Sequence, residues 1–410
     1  MRISGPIARH WTIGLVVAIM LASIAFDLSK LLESYPTGYV WSELLINYQG
    51  GFVRRGAFGE VVLRLWPMIT PLWSSAIVLT VLYLAFVWFA VRLFRFMDMA
   101  MILLFVFSPG LFAFWIWDYG VFGRKEIVAM VLYMALVDAA LTAWRENPGR
   151  RGLVARYVGL NILLLFVSLV HELVVFFIPF YLVILRLSDS RGLRRLETVL
   201  QGATLVVVPA MVFLAMFALR TENAAQAIAA SWEALFPHLT FAPDAGALHF
   251  FSMTMAEGIS ISLHVMRTSP TNWHYLILGV LSLLPLVYML PLCRSGLGRF
   301  RAAGWWNRML LLGCLMLPLV LFCIGMDYGR WVNQIIFHWY VLMVFLAAKS
   351  DILQPLPGDT VIVWSGYSMD RSRYVIVGIV LSLILSCIGM RHFVTAGDSP
   401  IAWLPLRMFL

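Results

Sequence analysis

Residues 47–60 read NYQGGFVRRGAFGE, with Arg54 and Arg55 side by side between Gly50–Gly51 and Gly56, and Gly59 beyond. An arginine presents a planar fork of donors that matches a phosphate or carboxylate in two-point contact. Glycines let the backbone turn, or let a ligand approach, where a Cβ would intrude. The pattern reads as a binding site for an anionic group. Headgroup contact, or arginines snorkelling from an interfacial helix, is the alternative, and it makes no use of the glycines. Glu60 ends the stretch and Glu43 precedes it. Either carboxylate suits a general base, which must reach the proton that it removes; ion pairing with the neighbouring arginines is the alternative.

Three more clusters could join such a site. DYGVFGRKE, residues 118–126, is a dense charged turn with Arg124 and Lys125, and its Glu126 also suits the positive end of a following helix. GMDYGRW, residues 325–331, repeats the D-Y-G sequence with a later arginine and supplies Asp327 and Arg330. His171–Glu172 interrupts a long apolar run. An imidazole there can give or take a proton near neutrality; a hydrogen bond within the core is the alternative. The residues at 174 and 175 are both valine, so the pair is no H-E-x-x-H zinc site. A lysine-tipped phosphate loop, a nucleophile elbow and a dinucleotide fingerprint are all missing from the sequence. Cys293, Cys314, Cys323 and Cys387 lack metal-ligand spacing and read as small core residues. The expectation is therefore a site without metal or cofactor. Glu43, Glu60, His171, Glu172 and Asp327 are its candidates for proton transfer, and Arg54, Arg55, Arg124, Lys125 and Arg330 for phosphate binding.

The elements that must position these residues are membrane spans. Of 410 residues 62% are hydrophobic and only 12% charged, and the mean hydropathy is +0.88; a soluble domain carries about 25% charged residues. Apolar runs of about 20 residues flanked by charge recur along the chain, without the alternation of a β-barrel. The fold expected is a single all-α, polytopic transmembrane bundle over residues 1–410, with about eleven spans and external interfacial segments. The run 157–187 is too long for one span and is split at His171–Glu172 into two short helices. Net charge is +9, and the basic residues gather in alternate short loops. This is the positive-inside pattern rather than a nucleic-acid signal, and it puts the N-terminus in the cytoplasm. The first span has no small-residue cleavage site and reads as a retained anchor. All four clusters then share the external face. Residues 30–72 form the first external loop, with an interfacial helix within 42–66 anchored by Trp41 and Trp66. Residues 220–273 form a larger one, whose Trp232 and Phe236 suit stacking on sugars. Ionisable groups at membrane depth are expensive and usually mark a pathway or site.

The combination of NYQGGFVRRG with the later GRKE, His-Glu and DYGRW resembles multi-pass inner-membrane proteins of bacterial surface-polysaccharide assembly. The layout is similar to the C-type glycosyltransferase superfamily and to O-antigen polymerases and ligases. The resemblance implies a glycosyltransferase or polymerase acting outside the membrane on polyprenyl-phosphate-linked sugars. Its partners would be that lipid-linked glycan, an acceptor glycan and an envelope assembly complex. C-type transferases carry an acidic residue in the first external loop, for which Glu43 and Glu60 stand here without any aspartate; polymerases and ligases rely on external arginines. A transporter or flippase of an anionic lipid or solute is the rival reading, expected to spread its charges through the membrane depth. A non-catalytic scaffold leaves the external clusters unexplained.

Overall fold

The structure, a computed structural model, describes residues 6–118, 120–146, 150–188, 195–219, 221–242, 246–249, 253–268, 272–325, 327–353, 361–364 and 367–388. Tyr119 and Met326 of the charged clusters, Arg191 and Arg194 of an inner loop, and the expected end of the last span fall outside them.

The chain is a membrane helical bundle. Its helices are α1 (Pro6–Glu33), α2 (Tyr39–Leu44), α3 (Gly56–Leu65), α4 (Pro71–Phe94), α5 (Met99–Phe107), α6 (Ala113–Trp117), α7 (Glu126–Glu146), α8 (Arg150–Val170), α9 (Val174–Ser188) and α10 (Arg195–Ala218). They continue with α11 (Ala224–Leu235), α12 (Met255–Thr268), α13 (Asn272–Ala302), α14 (Trp305–Met316), α15 (Leu321–Ile324), α16 (Tyr328–Leu353) and α17 (Arg371–Leu385). Among the described residues eight stretches are long and apolar enough to cross a membrane: α1, α4, α7, α8, α10, α13, α16, and α14 running through a 3-10 turn into α15. The other three expected spans are shorter. With 15 residues, α9 and α17 each reach about 22 Å, against roughly 30 Å of hydrocarbon.

The expected third span is broken into α5 and α6 at Pro109. Ser108, before the proline, is extended (ψ 137°), because the pyrrolidine ring disfavours the helical region for its predecessor. The freed carbonyls of Gly110 and Leu111 each accept a bond from Asn333 Nδ2 at 3.0 Å, which is how irregular backbone survives inside a bundle. Pro318 sits in the 3-10 turn, while Pro179 and Pro209 remain inside helices.

The axis of the bundle is α7 with α16. Their spanning windows are 94% and 83% buried, against 22–39% for the other six. Both begin at the same end, which brings the buried charged residues on their first turns, Glu126 and Arg330, together. The split at His171–Glu172 is as expected: α8 ends at Val170 and α9 starts at Val174. A hairpin of β1 (Val361–Trp364) and β2 (Tyr367–Asp370), pairing Val361 with Asp370, is the only sheet among the described residues.

Four expectations are corrected. Trp41 is no interface anchor. It is wholly buried and donates from Nε1 to the Leu31 carbonyl at 2.9 Å; Trp66 is the exposed one. Trp232 is also buried, donating to the Leu45 carbonyl at 2.8 Å, and so fastens α11 to the first loop instead of facing a sugar. Of the cysteines, Cys293 and Cys314 are buried but Cys323 is exposed. The glycines of the opening stretch serve chain packing: a Cβ on Gly50 would stand 2.6 Å from the Ala224 carbonyl oxygen, and one on Gly59 would collide with the backbone of Ile46.

Candidate functional site

The segment between α1 and α4 is built to hold one arginine. Short helix α2 turns Glu43 inward, to 1% exposure. Asn47 caps the following turn by accepting from Gln49 N at 3.1 Å, and its amide donates to Ser231 on α11 at 2.8 Å. Arg55 then precedes α3 with φ 62°, the only non-glycine residue in the left-handed region among those described. That conformation costs about 1–3 kcal/mol unless its surroundings over-determine it, and here they do. Lys125 Nζ donates to the Arg55 carbonyl at 2.6 Å. Arg55 Nε donates to both oxygens of Glu172 at 3.1 Å, Nη2 to Glu172 Oε1 at 2.9 Å, and Nη1 to Glu43 Oε1 at 2.9 Å.

From Arg55 the ion pairs run in two directions. Glu43 binds Arg124 through its second oxygen, and the Arg124 guanidinium lies 4.4 Å from the Tyr39 ring centre. Across the site, Arg330 Nη2 meets Glu126 Oε1 at 2.8 Å and Nη1 meets Asp327 at 3.2 Å. His171 joins the two halves. Its Nδ1 accepts from the Leu173 amide at 3.1 Å, so in the neutral ring the proton sits on Nε2, which points at Glu126 from 3.4 Å.

Burial raises a carboxyl's proton affinity and neighbouring cations lower it. At Glu43 the arginines, Arg124 and then Arg55, outweigh burial and hold the group well below its ordinary value of 4.5. At Glu172 Arg55 likewise overcomes burial and keeps the carboxylate ionised. Burial dominates at Lys125 and pushes its ammonium down to about 7.

These residues surround a cavity of about 740 Å³, within the size range of small-molecule sites. Part of the lining is charged: Arg54, Arg55, Arg124, His171, Glu172, Asp327 and Arg330. The same lining has an apolar share, which includes Phe213 and Met216 of α10, Ile259 and Ile261 of α12, and Leu321 and Ile324 of α15. Seven of the ten residues singled out from sequence thus meet on one surface. Glu43 and Lys125 stand behind it, buried against the arginines. Glu60 does not belong to it; its carboxylate accepts from Arg64 Nε at 2.8 Å and from Tyr48 N at 3.2 Å, on the outer face of α3. Three participants were not among those ten. Glu126 is the counter-charge of Arg330 rather than a plain helix-end residue. Tyr39 backs Arg124. Lys30 lines the cavity from the last turn of α1, and its place beside the first loop was the available signal. No group of three or more histidine, cysteine or acidic residues placed to hold a metal occurs among the described residues.

No family model, curated protein or solved structure matches the chain.

Proposed function

We propose that the chain is a membrane glycosyltransferase or polymerase that uses polyprenyl-phosphate-linked sugars in bacterial envelope polysaccharide assembly. It would sit in the inner membrane with a cytoplasmic N-terminus and the cavity facing outward. One observation carries the reading: a single cavity is lined both by four arginines, Arg54, Arg55, Arg124 and Arg330, and by apolar side chains of α10, α12 and α15. An amphipathic ligand with an anionic head and a hydrocarbon tail fits that lining. The arginines supply fixed positive charge where a lipid phosphate departs, which stabilises the charge that develops there. Asp327 or His171, both lining the cavity, would take the proton of an acceptor hydroxyl. The acceptor glycan reaches the cavity beside α12. Membranes matched for protein level are incubated with a synthetic prenyl-linked sugar donor and an acceptor glycan; the expected result is a longer glycan, lost in His171→Ala. The absence of product, together with an unchanged pool of lipid-linked intermediates in a deletion strain, counts against the reading.

A second reading, transport of an anionic lipid or solute, draws on one feature. Arg330, Gln334 and His338 follow one another at helical spacing along α16, all buried, and carry polarity from the cavity into the bundle. Buried polar groups at such depth often mark a pathway. Movement of a fluorescent lipid phosphate across proteoliposomes without any glycan product would favour it.

A further inference from the structure

Arg55 lines the cavity, yet its Nε, Nη1 and Nη2 all donate to two carboxylates. The two differ. Glu43 is 1% exposed and stands behind the arginine, shared with Arg124; the Glu172 side chain is 14% exposed and lies on the cavity side. Glu172 also belongs to the short turn between α8 and α9 rather than to either helix, so its side chain can swing without moving a span. Its grip on Nε and Nη2 is the two-point geometry that a phosphate would use.

We propose that Glu172 occupies the Arg55 fork as a stand-in for the ligand, and that a lipid phosphate binds by exchange, displacing Glu172 while Glu43 keeps its hold on the arginine. This rests on the functional reading above and adds a proton to it. Once displaced, Glu172 loses its strongest counter-charge but remains largely enclosed, and burial then raises its proton affinity. The groups facing it are Arg54 and Arg55 from the first loop and His171 from its own turn; Arg124, Asp327 and Arg330 line the same cavity, and Glu43, Lys125 and Glu126 lie behind. The hydrogen bonds that pin the Glu172 carboxylate in this arrangement come from Arg55. Binding is therefore linked to proton uptake.

The test is calorimetric titration of the purified, full-length protein with farnesyl methyl phosphate. As a diester it carries one fixed charge, so its own titration does not contribute. Each titration is run in buffers of different ionisation enthalpy, which reveals protons taken up. The wild type should take up a substantial fraction of one proton near neutral pH. Glu172→Gln should abolish the uptake and tighten binding by about tenfold, equivalent to roughly 1.4 kcal/mol, because Arg55 no longer has to be vacated. Asp327→Asn is the control, since it removes one negative charge from the same cavity but not from Arg55. It should tighten binding less and leave proton uptake intact. Equal tightening by the two variants, or no proton uptake by the wild type, overturns the exchange; the second result needs no variant to fold. Dimethyl phosphate separates the two ideas. If it binds as well as the farnesyl ester and with the same uptake, the exchange holds and the lipid reading fails. If the wild type binds neither probe, both fall.

Discussion

Replacing Arg55 by lysine tests the centre of the site without removing its charge. The guanidinium divides its donors between two carboxylates on opposite sides, with contacts of 2.9–3.1 Å. A lysine ammonium is one point at the end of a flexible stem. It can satisfy Glu43 or Glu172, not both; Glu43 keeps Arg124 in either case, whereas Glu172 loses its guanidinium contacts when the ammonium turns to Glu43. Two charge-assisted hydrogen bonds lost at about 1.5–3 kcal/mol each give roughly 3–6 kcal/mol. Retained charge and water entering from the cavity bring this to about 3 kcal/mol, the lower end for breaking a buried pair. The control is Arg64→Lys. Arg64 pairs with Glu60 on an exposed surface, its side chain 77% accessible, and such pairs contribute little. Unfolding of the purified variants by heat or by SDS in detergent should place the Arg55→Lys midpoint clearly below wild type, with Arg64→Lys superimposed on it. Glycan formation in membranes matched for protein level should fall about tenfold or more in Arg55→Lys alone. Coincident unfolding curves for all three proteins would refute the assignment of Arg55 as the hub of the buried charges, and equal product formation would refute its part in transfer.

Stability should depend on pH in two windows. Glu43 and Glu172 are held below 4.5 in the folded chain, so their contribution is complete above that pH and is lost as pH falls through the folded values. Melting midpoints in detergent should decline below about pH 4.5. Lys125 works on the other side: unfolded chains bind its proton up to 10.5 and the folded chain only to about 7, so between these values its contribution grows with rising pH, readable in the same scans. Gly59→Ala should fail to accumulate as a monodisperse protein in size-exclusion chromatography, because the added methyl meets the Ile46 backbone. Trp232→Ala should cost about 3–5 kcal/mol, measured by unfolding, because it removes the main anchor of α11 to the first loop. For sidedness, a cysteine at Glu33 should react with an impermeant thiol reagent on intact cells and one at Arg301 should not; the reverse would invert the proposed orientation.

Much of the bundle was legible because the signals were local. Apolar runs of spanning length, punctuated by arginines, need only a window of sequence, and so did the break at His171–Glu172. The convergence of four clusters was legible from topology, since alternating spans bring every second loop to one end. What sequence hid were partners distant along the chain. Trp41 resembles an interface tryptophan and Trp232 a sugar-stacking one until the carbonyls of Leu31 and Leu45 are seen to accept their indole protons. Glu43 and Glu60 look alike, both acidic residues of one loop, but helix phase turns Glu43 inward and Glu60 toward Arg64. The glycines around the arginine pair suggested ligand approach, whereas the close neighbours of Gly50 and Gly59 are the chain's own backbone. The expected eleven spans became eight full-length ones because hydropathy does not register a helix that stops early, as α9 does, or one that Pro109 divides.

The enclosure of α7 and α16 at the axis has a consequence for how the molecule is made. Spans leave the ribosome in order, so α7 arrives with Glu126 long before α16 brings Arg330. Through that interval the carboxylate sits beside His171 without the guanidinium that neutralises it. Arg55, by contrast, has Glu43 in its own loop and needs only Glu172, supplied once α4, α7 and α8 have followed. The charged wall therefore completes from the N-terminal side, and its last ion pair closes when the eighth full-length span inserts. A nascent chain interrupted after α15 carries an uncompensated acid inside its helices, a chemical mark that separates unfinished copies from finished ones in the membrane.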